Sequence, residues 1–167
     1  PSQKRSASRL LRLGRQDGSL SDHQFSDFGS YLRAGDCLVL NNTKVLPARF
    51  YGQRKTGAKL EGLFLCAQAE NLWQVLLKGA RKLKPEEAFY VLSKDQSQHF
   101  TARIIEQQHE GKCLIQVDAQ GSYESTLETI GFPPLPPYIK RDNNLKTAEA
   151  DKERYQTVFA QHAGAVA

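Results

Sequence analysis

Between Ala48 and Val117 the chain alternates apolar and polar positions in short runs. Ala48 to Lys55, Lys59 to Ala67, Leu72 to Lys78, Ala88 to Leu92, His99 to Glu106 and Lys112 to Val117 all read as strands. They are rich in β-branched and aromatic residues and are separated by Gly, Asn, Pro or charged turns. Short strands at this spacing predict a closed antiparallel barrel or sandwich, with Phe64, Trp73 and Phe89 filling its interior.

The flanks are patterned differently. Arg9 to Leu13 and Ser19 to Phe25 predict a hairpin around Gly14-Arg15-Gln16-Asp17-Gly18. Ser26 to Leu32 predicts a short helix capped by Ser26 and stopped at Gly35. Cys37 to Leu40 is an apolar run that predicts a buried strand. Beyond Gly121, Ser122 to Ile130 reads as a helix ended by Gly131. Pro133-Pro134-Leu135-Pro136-Pro137 is too rigid for a helix and lacks donors for a central strand. Ala148 to Ala160 predicts an amphipathic helix with Tyr155, Val158 and Phe159 on one face. The expected organisation is α/β plus all-β. Residues 1–48 begin a large α/β domain, residues 49–130 form an inserted antiparallel β-barrel, and residues 131–167 return to the large domain. The chain begins at Pro1, contains no Met and ends at Gly164-Ala165-Val166-Ala167, so the expectation is an incomplete piece of a longer polypeptide.

Composition narrows the class. Apolar residues make up 40% of the chain, enough for a sizeable core. No apolar run approaches the roughly 20 residues of a membrane helix, so no membrane association is expected. Cys37, Cys66 and Cys113 lie on apolar stretches and read as reduced core thiols of a cytoplasmic protein. The net charge of +5 is uneven: residues 1–59 carry 11 Lys and Arg against 4 Asp and Glu, and the remainder is nearly balanced. A basic first third that includes Arg5, Arg9, Arg12 and Arg15 suits phosphate contacts. A solvated face that keeps the protein soluble explains it slightly better.

Most familiar chemistries find no residues. His23, His99, His109 and His162 are scattered, and no Cys or His pair has ligand spacing, so no metal is expected. No nucleophile elbow and no glycine-rich phosphate loop is present. The segment from Asn41 to Arg49 stands apart. Asn41 and Asn42 donate and accept hydrogen bonds at once, which suits reading a nucleobase edge, and Lys44 and Arg49 suit a phosphate or carboxylate. The same residues also suit a plain turn capped by Thr43, and spacing alone favours that reading. Tyr138, held by Pro136 and Pro137, either stacks on a ligand or pins a crossover. Tyr155 and Gln156 either face the same crevice or fill the core.

Asn41-Asn42-Thr43-Lys44-Val45 followed by Pro47-Ala48-Arg49 resembles the S-adenosylmethionine:tRNA ribosyltransferase-isomerases, the QueA family of queuosine biosynthesis. Further stretches resemble that family in the same order. They are Arg5-Ser6-Ala7-Ser8-Arg9-Leu10-Leu11, Lys59-Leu60-Glu61, Lys82-Leu83-Lys84-Pro85, Leu135-Pro136-Pro137-Tyr138-Ile139, Tyr155-Gln156-Thr157-Val158 and Gly164-Ala165-Val166-Ala167. Two positions depart from its pattern. Glu86 stands where the family usually has Gly, and Gly62 where it usually has a β-branched residue. The resemblance covers roughly the N-terminal half of such an enzyme.

It implies a large α/β domain interrupted by a β-barrel. It also implies that the ribosyl group of S-adenosylmethionine, a co-substrate, is transferred to 7-aminomethyl-7-deazaguanine in tRNA. Isomerisation then gives epoxyqueuosine, with adenine and methionine released. On this resemblance Asn41, Asn42, Thr43, Lys44, Arg49, Tyr138, Tyr155 and Gln156 bind substrate. Arg5, Arg9, Arg12 and Arg15 contact tRNA, and the catalytic base is unidentified. A cytoplasmic monomer without metal is expected, and these residues alone are expected to be inactive. The competing readings are a non-catalytic RNA-binding β-barrel module and a structural barrel like those of translation factors.

Overall fold

A computed structural model describes residues 4–136, 139, 151 and 154–165. The chain divides into two compact units, Pro1–Leu40 and Asn41–Ala167. In the first, β1 (Arg9–Leu13) and β2 (Leu20–Gln24) form the expected antiparallel hairpin, with Leu10 opposite His23 and Leu13 opposite Leu20. A 3-10 helix, Phe25–Tyr31, follows in place of the α-helix expected at Ser26 to Leu32. Its start is held by Asp27, whose carboxylate accepts from the Gln24 N–H at 3.1 Å, so Ser26 is not the cap. The Tyr31 ring meets His23 edge-on and receives the Arg12 guanidinium 5.5 Å above its centre.

Cys37 to Leu40 departs from expectation. It forms no strand, and Val39 is 92% exposed. An apolar run becomes a strand only when a neighbour takes its N–H and C=O groups. No described strand pairs with it. Cys37 and Cys66 are likewise exposed rather than core thiols; of the three, Cys113 alone is buried, and burial pushes its thiol pKa up.

The second unit contains the barrel. Its strands are β4 (Arg49–Arg54), β5 (Lys59–Ala69), β6 (Leu72–Lys78), β7 (Ala88–Leu92), β8 (His99–Gln107) and β9 (Lys112–Val117). They close antiparallel in the order β4-β5-β6-β9-β8-β7. The period of two decides which side chains go inside. Phe50, Leu60, Phe64, Trp73, Val75, Leu77, Phe89, Val91, Ala102, Ile104, Cys113, Ile115 and Val117 form the interior, as the pattern predicted for Phe64, Trp73 and Phe89. The helix α1 (Tyr123–Ile130) adds Leu127 and Ile130 to the same core. Ser122 caps it by accepting from the Ser125 N–H, and Gly131 ends it. Tyr123 stacks on Phe64 with ring centres 5.5 Å apart. The fold of the described residues is thus mostly β with some α, built around a closed barrel.

The sequence departure at Glu86 acquires a physical meaning. Lys84-Pro85-Glu86-Glu87 makes a tight turn closed by the Glu87 N–H donating to the Lys84 carbonyl at 3.0 Å, and Glu86 has φ of +63°. Pro second and positive φ third is the type II pattern, which favours Gly at the third position. The turn is also held by the Glu87 carboxylate, which accepts from the Lys84 N–H and from Arg54. Both contacts, the Lys84 N–H foremost, keep its pKa below the ordinary value. Glu86→Gly removes left-handed strain from a residue whose side chain is exposed. It is expected to stabilise by about 0.5–1 kcal/mol after the entropy of glycine in the unfolded chain is counted. Thermal unfolding followed by circular dichroism should show the midpoint rising by about 1–4 °C; a fall would show that the strain is not there.

The helix expected from Ala148 to Ala160 is only partly covered, because residues 148–150, 152 and 153 lie outside the described set. Asp151 and Arg154 are helical, but from Tyr155 the chain turns, and Val158 and Phe159 are 68% and 47% exposed. The apolar face expected there therefore does not continue past Arg154. Among the described residues no helix is long and apolar enough to cross a membrane.

Candidate functional site: an open cleft beside the Asn-Asn-Thr-Lys corner

The corner begins with a local turn. Asn41 Oδ1 accepts from the Thr43 N–H at 2.8 Å and starts β3 (Thr43–Val45). The Asn42 carbonyl accepts from the N–H groups of Gln161 (2.7 Å) and His162 (3.2 Å). That contact leads the chain into β10 (His162–Ala165), which runs parallel to β3 with His162 opposite Thr43 and Ala163 opposite Lys44. Asn42 and Lys44 are exposed, and Thr43 is half-buried.

Gln156 acts as a clamp. Its side-chain Oε1 accepts from the Val45 N–H at 2.8 Å and its Nε2 donates to the Val45 carbonyl at 2.7 Å. One amide thereby satisfies both backbone groups of one residue. This ties the corner to the segment that carries Tyr155.

After Val45, Leu46-Pro47-Ala48 turns into the barrel, with Pro47 and Ala48 buried. The chain leaving α1 comes back over the same place, because Gly131 lets it. A Cβ at Gly131 would lie 1.7 Å from the Pro47 carbonyl oxygen, so no other residue fits this approach. Phe132 then bridges to Arg49, each N–H donating to the other's carbonyl (3.1 and 2.6 Å). Pro134, Leu135 and Pro136 run on across the outside of the barrel.

Between that strap and the barrel wall lies an open cleft of about 580 Å³, within the range of small-molecule sites. It is lined by Arg49 from β4, Glu61, Gly62 and Leu63 from β5, Leu76 and Lys78 from β6, the strap Pro134 to Pro136, and Tyr155. The Arg49 guanidinium is oriented from two sides: Nη2 donates to the Leu135 carbonyl at 3.1 Å, and Nε lies 3.8 Å from Glu61 Oε1.

Of the residues expected at a site, the structure thus puts Arg49 and Tyr155 in one cleft. Gln156 is bonded to the corner strand, and Asn41, Asn42, Thr43 and Lys44 stand on and before that strand. Tyr138 lies outside the described residues. In the other unit Arg9 and Arg12 are exposed on β1, three positions apart and so on opposite faces of the hairpin, and Arg15 is exposed in its turn. Arg5 belongs to a one-turn 3-10 helix, Arg5–Ala7. Among the described residues no three His, Cys, Asp or Glu gather as metal ligands would.

Glu61 and Lys78 were not expected at a site, and of the proline run only the stretch holding Tyr138 was. Both alternate with buried neighbours and face outward, but their juxtaposition depends on two register shifts between β5 and β6. Extending the pairing of Ala69 with Leu72 without shifts would set Glu61 opposite Ala80. The two bulges move its partner to Lys78. Nothing in the local sequence announces them.

Several known proteins are similar to this chain over its whole length. The S-adenosylmethionine:tRNA ribosyltransferase-isomerase of Acetivibrio thermocellus is 38% identical over 168 residues, that of Francisella tularensis subsp. novicida 39% over 167, and that of Trichlorobacter lovleyi 36% over 167. Each comparison covers 100% of this chain and 46% of the relative, so the chain spans about half the length of the curated relatives it matches. The crystal structure of S-adenosylmethionine tRNA ribosyltransferase from Thermotoga maritima is 25% identical, with a TM-score of 0.41 over 98% of this chain and 51% of that one. The family model described as queuosine biosynthesis protein matches residues 1–167, and with the corner motif, the barrel and the Lys-Pro turn all in place along it, the chain belongs to that family.

Proposed function

We propose that this polypeptide is the barrel-bearing part of an S-adenosylmethionine:tRNA ribosyltransferase-isomerase. The enzyme moves the ribosyl group of S-adenosylmethionine to 7-aminomethyl-7-deazaguanine in tRNA and isomerises it to epoxyqueuosine, releasing adenine and methionine. In this reading it works as a cytoplasmic monomer, and residues 49–130 are an insert between two parts of a larger α/β domain. The observation that carries the reading is the cleft holding Arg49 and Tyr155, one residue from the Gln156 clamp on the corner strand. Membership of the family supports it.

A sulfonium acidifies the C–H bonds beside it, so a positioned base is enough to begin such a transfer. The protein's task is then to hold three partners together. Asn41, Asn42 and Thr43 would read a base or ribose edge, and Lys44 and Arg49 a carboxylate or phosphate. Tyr138, Tyr155 and Gln156 would line or frame the crevice. Arg5, Arg9, Arg12 and Arg15 would contact tRNA phosphates, each engaged contact steepening the salt dependence of binding by about 0.9 log unit per log unit of salt or less.

The test uses the natural polypeptide with S-adenosylmethionine and tRNA carrying the 7-aminomethyl-7-deazaguanine precursor. Adenine should appear only when that tRNA is present. Asn42→Ala and Lys44→Ala should each lower turnover by about ten-fold or more, the loss of one polar or charged contact, with the unfolding midpoint unchanged. Unchanged turnover in both variants would reject the site. Retention of tRNA with no adenine released would favour the RNA-binding module instead.

A further inference from the structure

We propose that the cleft on the outer wall of β4, β5 and β6 is a subsite for a free α-amino acid group, taking the ammonium at Glu61 and the carboxylate at Lys78. Resting on the reading above, its occupant is the methionyl end of S-adenosylmethionine. Neither Glu61 nor Lys78 belongs to the corner motif, and their pairing arises only from the fold.

The barrel register builds the charge pattern. Arg49, Glu61 and Lys78 sit on three neighbouring strands, and Glu61 is the direct cross-strand partner of Lys78. With Arg49 Nε 3.8 Å from Glu61 Oε1, the order across the wall is positive, negative, positive. The Glu61 and Arg49 side chains remain 38% and 32% exposed, and Lys78 is exposed, so all three charged ends stay within a ligand's reach. Desolvating such a row without a ligand of matching charge is costly. A simple phosphate satisfies the cations but is repelled by Glu61. A plain ammonium satisfies Glu61 and is repelled from both sides. A zwitterion meets both requirements.

The remaining lining suits the side chain such a zwitterion would carry. Leu63 and Leu76 are cross-strand partners at half-buried positions, and the strap supplies Pro134, Leu135 and Pro136. That surface fits the short unbranched aliphatic chain that links such a group to its sulfonium. Tyr155 lines the cleft too, and the face of a tyrosine ring attracts a cation such as a sulfonium.

Calorimetric titration of the natural polypeptide with two ligands separates this subsite from the rest of the site. S-adenosylmethionine carries the amino acid end, and 5′-methylthioadenosine lacks it. Glu61→Gln and Lys78→Met should each weaken S-adenosylmethionine by about ten- to hundred-fold, the loss of one charged hydrogen bond, and leave 5′-methylthioadenosine unchanged. Circular dichroism melts of both variants check that they are folded, and the exposed Lys78 carries the test should Glu61→Gln loosen Arg49. Equal weakening of both ligands, or of neither, overturns the subsite. Adenine release judges the wider reading separately. If it persists in wild type while the variants bind normally, the subsite fails and the reading stands. If the variants show the selective loss but wild type never releases adenine, the reading fails and the amino acid subsite stands.

Discussion

Replacing Trp73 by alanine is expected to destabilise the second unit by about 3–5 kcal/mol, a large part of the stability of an ordinary domain. The indole is fully buried, meets Phe64 edge-on with centres 5.4 Å apart, and donates its N–H to the Glu70 carbonyl at 2.9 Å. Removing it opens a cavity in a closed wall that cannot collapse inward, because neighbouring strands fix one another. Phe64 loses its support on one side while Tyr123 of α1 still stacks on the other, so the loss reaches the helix. Trp73 is the single tryptophan, so urea unfolding of the variant is followed by far-ultraviolet circular dichroism. Trp73→Phe keeps most of the ring and should lose less. A loss below about 1 kcal/mol for alanine would mean the interior is not packed as described.

Gly62→Val should cost at least about 2 kcal/mol, although the family resemblance makes a β-branched residue usual at that position. Gly62 lies opposite Phe50 across β4 and β5, and the Phe50 ring covers it. A Cβ on Gly62 would fall 2.1 Å from Phe50 Cζ, deep inside van der Waals contact. Phe50 is itself fully buried and has nowhere to swing. An aromatic laid over a strand glycine is a known way to recover lost packing. The pair should therefore couple. Phe50→Leu combined with Gly62→Val should be less damaging than the two single losses added, by about 1–3 kcal/mol in a double-mutant cycle. Strict additivity would show that the two positions do not share the space.

The barrel was readable from the chain because every strand states its own period. Leu72–Lys78, Ala88–Leu92 and Lys112–Val117 occur where alternation placed them, and the other three differ only at their ends. A half-buried strand flanked by turns carries its environment in its pattern. Ser122 and Gly131 gave α1 for the same reason: caps are local. The misses depended on something beyond the segment. Cys37 to Leu40 has the composition of a covered strand, but pairing is a property of two segments and not of one. Tyr155 to Phe159 has helical spacing, yet Gln156 gives its amide to Val45, and the chain turns there. Within the site, Arg49 and Tyr155 were visible as chemistry. Glu61 and Lys78 were not, because bulges inside β5 decide who faces whom.

Closing the ring leaves none of the six barrel strands with a bare edge. Among the described strands, bare edges remain on β1, β2, β3 and β10, which run for only three to five residues. Among the described strands, self-association by strand addition has only those short stubs to start on. Arg9 and Arg12 on β1 and Lys44 on β3 put positive charge on two of them, so a β1 or β3 edge meeting its own copy would be repelled. In the described residues strand addition is thus opposed by closure in the barrel and by charge on β1 and β3.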